Sequence, residues 1–255
     1  MQVERHRNGV AWLTLSNPPL NAFDEGEIGA LAATVDALAS DPSVRAVVVT
    51  GSGSAFSVGL DLGLLGRGFE DPSYFRAQLD RFGAALSAFE ALPVPTIACV
   101  NGTARAGGFE LLLCCDLVIV AAEAKLGDTH LASGLPPGGG ASARLPRRVG
   151  HQAARDLLLT GRWITGLEAA TMGLAARAVP AASLVEAVRA LASQIAALSR
   201  PALVATKQIL RDSEQVALDE ALSIELEAFT AFLRSEPTAS EGYRAFVENR
   251  EPRWS

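Results

Sequence analysis

The chain has 255 residues, 49% of them hydrophobic and 20% charged, with a formal net charge of -6. A chain of this length buries a full core as one large domain, and its diffuse acidity, without a basic tract, excludes a general nucleic-acid binder. No window of about 18 uninterrupted apolar residues occurs, so no membrane span is expected; the charged stretch MQVERHRNGV lacks a secretory apolar segment, and three cysteines, an odd number with two adjacent, suggest reduced thiols in a cytoplasm.

In chain order, VAWLTLSNP (10–18) reads as a strand closed by a proline turn. FDEGEIGALAATVDALASDP (23–42) reads as a helix: Asp24 caps it, Glu27 holds the capping-box position, and Ile28, Leu31, Val35 and Leu38 share one face. VRAVVVTG (44–51), PTIACVNG (95–102) and LVIVAAE (117–123) read as strands. Their continuous apolar character predicts sheets covered by helices. Cys99, Cys114 and Cys115 lie in apolar surroundings without metal-type spacing and read as reduced core thiols. GLPPGGGASARLPRRVG (134–150) reads as a Gly/Pro loop, and three or four helices are expected after Pro180. One of them, VALDEALSIELEAFTAFL (216–233), is apolar around most of its circumference, which hints at a subunit interface.

The chemistry concentrates in ARAGGFELLLCCDLVIV (104–120). Gly107 and Gly108 would open a helix, where unpaired N–H groups and the positive end of the dipole suit an anionic oxygen. Glu110 lies three residues on, so its carboxylate projects from the same side. The apolar run around it would raise its pKa and suit it to proton transfer. A second donor loop is offered by GSGSAFSVGLDLGLL (51–65), where N–H groups near Val58–Gly59 would complete a two-donor oxyanion hole. Taken singly, a helix-decorating Glu110 and a Gly/Ser turn at 51–65 explain the same residues.

Together these stretches resemble the crotonase superfamily, the enoyl-CoA hydratases and isomerases. The resemblance runs nearly end to end, through LSNPPLNAF, GSGSAFSVGLDL, the long stretch from Pro93 to Gly127, GLPPGGGASARLPRRVG, TGLEAATMGL, PALVATKQIL and EGYRAFVENREP. It implies an α/β fold, a spiral of ββα repeats over residues 1–199, with a C-terminal helical trimerisation region over 200–255. It implies an acyl-CoA thioester substrate, no separate cofactor or metal, and a homotrimer, hexamers of two trimers being common in such proteins. The Val58 and Gly107 amides would hold the thioester oxygen; Gly59, Leu60 and Asp61 would line the CoA site, with Lys207 and Phe246 approaching CoA from the C-terminal stretches. Glu110 matches the first catalytic glutamate of the hydratases, whereas the position of the second holds His130. Imidazole substitutes in part, since it both accepts and donates a proton near neutrality. Asp128, two residues earlier, would offset the missing charge if the stretch were extended. Residues 66–82 are expected to border the acyl pocket.

Three rival readings carry their own residues. A dinucleotide-binding oxidoreductase would use VVVTGSGSAF, which has Phe56 where the third glycine belongs. A serine hydrolase would use Ser57, Asp116 and His130, in the hydrolase order. A non-catalytic acyl-CoA binder would keep the site without turnover.

Overall fold

The apolar runs form the central strands of a six-stranded sheet in a computed structural model that describes residues 1–254. β1 (Gln2–Arg5) pairs antiparallel with β2 (Val10–Leu15), which leads into α1 (Glu25–Ala39). Asp24 caps α1 by accepting from the Glu27 N–H, and Ile28, Leu31, Val35 and Leu38 are its buried residues. The Glu27 carboxylate does not return the box; it accepts from the Met1 ammonium at 3.2 Å.

Three ββα turns follow. β3 (Ala46–Gly51) and the short β4 (Ala55–Ser57) precede α2 (Leu62–Glu70) and α3 (Pro72–Glu90). β5 (Thr96–Val100) and β6 (Thr103–Arg105) precede α4 (Gly107–Leu113). β7 (Leu117–Ala121) and β8 (Lys125–Gly127) precede a 3₁₀ turn at Leu131–Ser133 and α5 (Ala141–Thr160). In each turn the first strand joins the large sheet, ordered β1-β2-β3-β5-β7-β10, and the second joins a sheet ordered β4-β6-β8-β9. β2, β3, β5, β7 and β10 run parallel, so each repeat advances the chain by one strand in both sheets. This repeated geometry is the spiral; its strands differ too much in length and residue type to show as a repeat in the sequence.

β9 (Ile164–Thr165), α6 (Gly166–Thr171) and β10 (Arg177–Val179) close the sheets, and α7 (Ala181–Ala196) packs on β3, β5 and β7. α8 (Arg200–Ser213), α9 (Leu218–Ser235) and α10 (Glu241–Val247) complete the helices expected after Pro180. α9 has no buried residue and exposes Leu218, Leu222, Leu226, Phe229 and Leu233.

One expectation needs correction. Only the first half of residues 134–150 is a loop; from Ala141 the chain is helical, with the break at Gly150 (φ +78°). Proline and glycine there bend a helix whose Ala141, Leu145, Ala154 and Leu157 are buried, and burial outweighs the local breakers.

Candidate active site

The loop 57–61 and the start of α4 press against each other because glycine occupies the contact. A Cβ on Gly59 (φ +89°) would lie 2.5 Å from the Gly107 nitrogen, and one on Gly108 would lie 2.2 Å from the Ser57 carbonyl oxygen. Ala106, before α4, is held at φ +46°, a conformation that costs a non-glycine residue about 1–3 kcal/mol and clusters at functional sites. The result is two amides from distant segments side by side. The Gly107 N–H, in the first turn of α4, has no acceptor among the described residues.

The partner amide is not the expected one. The Val58 N–H donates to the Leu20 carbonyl at 3.2 Å, and the Gly59 N–H donates to the Ser57 hydroxyl at 3.1 Å. Phe23 bridges the next residues in parallel: its N–H donates to the Gly59 carbonyl at 2.8 Å and its carbonyl accepts from Asp61 at 3.0 Å. Between those bonds the Leu60 N–H is left without an acceptor among the described residues, and Leu60 lines the same cavity as Gly107. The unpaired amide beside Gly107 is therefore that of Leu60 and not, as expected, that of Val58. The Asp61 carboxylate caps α2, accepting from Gly63 at 2.8 Å and Leu64 at 3.3 Å, at the cavity rim.

The cavity encloses about 540 Å³. Its apolar wall includes Leu20, Leu65, Phe75, Leu79 and Leu135, of which Phe75 and Leu79 fall in the 66–82 stretch expected to border an acyl group. Glu110 lies in this wall and is 2% exposed. Its Oε1 accepts from the Gly139 N–H at 2.7 Å and the Ala141 N–H at 3.2 Å. Those amides come from the glycine-rich loop, and a Cβ on Gly139 would lie 2.2 Å from Oε2, so only glycine admits the carboxylate there. Burial pushes the Glu110 carboxyl above the usual range, against the opposing pull of His130 and the two amides.

Facing it are Asp128 and His130. The stretch is not extended: Thr129 adopts φ +54°, and the turn brings the Asp128 carboxylate back onto its neighbour. Asp128 Oδ1 accepts from the His130 amide at 3.3 Å, while Oδ2 lies 2.9 Å from His130 Nδ1. This fixes the ring and leaves Nε2 to exchange protons. Asp128 is 1% exposed. Burial alone would lower the His130 pKa; the Asp128 hydrogen bond and charge and the Glu110 charge outweigh it, so the imidazole is held above its usual value. One polar atom from each of Glu110, Asp128 and His130 lies within 4.8 Å of the others. A single water can bridge groups at that separation.

The remaining predicted residues lie elsewhere. Lys207 is 6% exposed; its ammonium donates to the Val94 carbonyl at 3.1 Å and to Asp116 Oδ2 at 2.7 Å. It is a core ion pair, not a cavity residue, which corrects its expected approach to CoA. Lys207→Ala leaves the partly exposed Asp116 carboxylate with its two Thr96 bonds and should cost about 1–3 kcal/mol in urea unfolding, with the acyl-CoA KM unchanged; a KM rise without destabilisation would return Lys207 to the binding site. Phe246, on α10, is 85% exposed and outside the cavity lining.

The rival constellations do not assemble. Ser57 is fully buried, its hydroxyl donates to the Asn21 carbonyl at 2.7 Å, and Asp116 binds Thr96 and Lys207, so neither partners His130. The loop after β3 leads into β4 rather than a helix, so the dinucleotide turn is absent there. The three thiols are buried, which pushes Cys99 up to about 11 and Cys114 up to about 12. Among the described residues no single helix is long and apolar enough to cross a membrane.

Comparison with known proteins places these features in a family. Residues 5–255 match the family model described as enoyl-CoA hydratase/isomerase. A Mycobacterium tuberculosis protein named "Probable enoyl-CoA hydratase" is 35% identical over 254 residues, covering 99% of this chain and 96% of its own. The crotonyl-CoA hydratase of Syntrophomonas wolfei is 34% identical over 248 residues, covering 95% of this chain and 93% of its own. The crystal structure of an enoyl-CoA hydratase from Bacillus anthracis superposes with a TM-score of 0.94 at 31% identity, over 99% of this chain and 98% of that one. With a match across nearly its whole length in sequence and in fold, the chain belongs to the enoyl-CoA hydratase/isomerase family of enzymes, within the crotonase superfamily.

Proposed function

We propose that the protein hydrates trans-2-enoyl-CoA thioesters, with Glu110 as base, His130 as acid, and the Leu60 and Gly107 amides as the oxyanion hole. The observation that carries this reading is the placement of Glu110 and the Asp128–His130 pair on one cavity beside two unspent N–H groups. Glu110 removes a proton from the bridging water as its oxygen adds to Cβ. The displaced electron pair moves onto the thioester oxygen, where the two amides hold the enolate. Protonated His130 then delivers its Nε2 proton to Cα. Each donor aimed at the developing oxyanion is worth about 3 kcal/mol of barrier.

His130 differs from a carboxylic acid in charge, and Asp128 supplies the difference. An imidazolium beside a carboxylate has the same net charge as one neutral carboxylic acid. Glu110, Asp128 and protonated His130 therefore carry the charge of a pair of glutamates of which one is protonated. The cavity keeps an acid and a base at neutral pH although one glutamate is gone.

The apolar face of α9 supports self-association, since a monomer rarely leaves five large apolar side chains of one helix in water. A homotrimer is the assembly we assign, and sedimentation should give a mass of three chains or a multiple of it. The function is tested by incubating purified protein with trans-2-enoyl-CoA thioesters of graded length and following loss of the enoyl absorbance and gain of one water by mass. Binding without turnover on every thioester would make the protein an acyl-CoA binder instead.

A further inference from the structure

One cation in the cavity has no role in this scheme. Arg105, at the end of β6, lines the cavity two residues before Gly107. Its Nε donates to the Thr129 hydroxyl at 2.8 Å and its Nη2 to the Ser133 hydroxyl at 3.0 Å. Both acceptors are neutral, and Arg105 makes no ion pair among the described residues. Arg144 and Arg250, by contrast, each grip a carboxylate. The two hydroxyls fix the guanidinium plane and leave Nη1 and one Nη2 hydrogen unspent. A half-buried guanidinium, oriented in advance and unneutralised, suits bidentate recognition of an anion.

We propose that Arg105 recognises a carboxylate carried on the acyl chain, so that the preferred substrates are ω-carboxylated enoyl-CoA thioesters. This rests on the enoyl-CoA reading above. Thr129 and Ser133 bracket His130, so the guanidinium sits on the wall that addresses the acyl carbons. On the wall formed by residues 58–62 the charged group is the Asp61 carboxylate, which repels an anion. Because Arg105 and His130 share one short segment of wall, the recognised carboxylate is separated from the double bond by few carbons. Chains without that group leave the charge facing an apolar tail.

The test compares trans-2-pentenoyl-CoA with 4-carboxy-trans-2-butenoyl-CoA, which differ chiefly in the terminal charge, in the wild type and in Arg105→Leu and Arg105→Lys. The wild type should favour the carboxylated thioester in kcat/KM by about 10–100-fold. Arg105→Leu should erase or invert that ratio, and Arg105→Lys should restore part of it. A wild type that prefers the uncharged thioester overturns the proposal, as does an unchanged ratio in a folded Arg105→Leu. An equal loss on both CoA thioesters, absent when the same acyl groups are carried on pantetheine, would assign the guanidinium to a CoA phosphate and likewise overturn it. Saturated glutaryl-CoA and pentanoyl-CoA separate this outcome from failure of the hydratase reading. Tighter binding of glutaryl-CoA by calorimetry, lost in Arg105→Leu, upholds the inference even if no thioester is hydrated, and equal binding contradicts it.

Discussion

Glu110→Gln is expected to lower kcat on trans-2-enoyl-CoA by about 10²–10⁴-fold, the usual contribution of a positioned general base. The amide keeps the shape of the carboxylate, and its oxygen can still accept from Gly139 and Ala141. Only the capacity to take a proton is removed. The fold should not suffer. Burial raises the Glu110 pKa, so folding opposes its ionised form. Its contribution to stability is therefore most favourable below the unfolded value near 4.5, and is lost as pH rises through the higher folded value. At neutral pH the neutral glutamine should leave the thermal midpoint equal to the wild type or above it. Full activity in this variant would remove Glu110 from the mechanism; unfolding would show that the fold needs the carboxylate itself rather than its shape and hydrogen bonds.

The second large effect concerns the Asp128–His130 pair and is not additive. Asp128→Asn should cut kcat by about 10²-fold, the lower end of acid–base catalysis, with little change in KM, since Asp128 acts through the imidazole. It should also move the basic limb of the pH profile of kcat downward. The groups facing His130 are Asp128, Glu110 and Arg105; loss of the Asp128 charge leaves burial and Arg105, both of which lower its pKa, against Glu110 alone. His130→Glu should be equally poor, because a second carboxylate would then abut buried Asp128. The double variant Asp128→Asn, His130→Glu removes that conflict and should recover activity above either single variant. Kinetics of the four proteins check this; a double variant no better than Asp128→Asn would refute the charge equivalence.

Much of this arrangement is legible in the sequence, and the exceptions have physical causes. α1 and the strands Ala46–Gly51, Thr96–Val100 and Leu117–Ala121 follow from apolar periodicity, because their burial is local and continuous. Gly107 and Glu110 are readable because one short helix supplies both. The second oxyanion donor is not, since which amide of residues 57–61 stays unpaired depends on Leu20 and Phe23, about forty residues upstream. Lys207 reads as an exposed cation until Asp116, distant in sequence, is found beside it. The Asp128–His130 pair depends on a left-handed Thr129, a conformation that no alternation rule predicts. Arg105 gives no local signal at all; its meaning comes from a guanidinium whose two side-chain partners are hydroxyls and that makes no ion pair among the described residues.

Convergence of the two amides on one thioester is tested by a crystal structure of the protein with a saturated acyl-CoA bound. In that complex the thioester oxygen should lie within hydrogen-bonding distance of the Leu60 and Gly107 nitrogens, with the Glu110 carboxylate and His130 Nε2 on either side of Cα and Cβ. A thioester oxygen bound away from those two amides, or an acyl chain lying outside the cavity that holds Glu110, would contradict it.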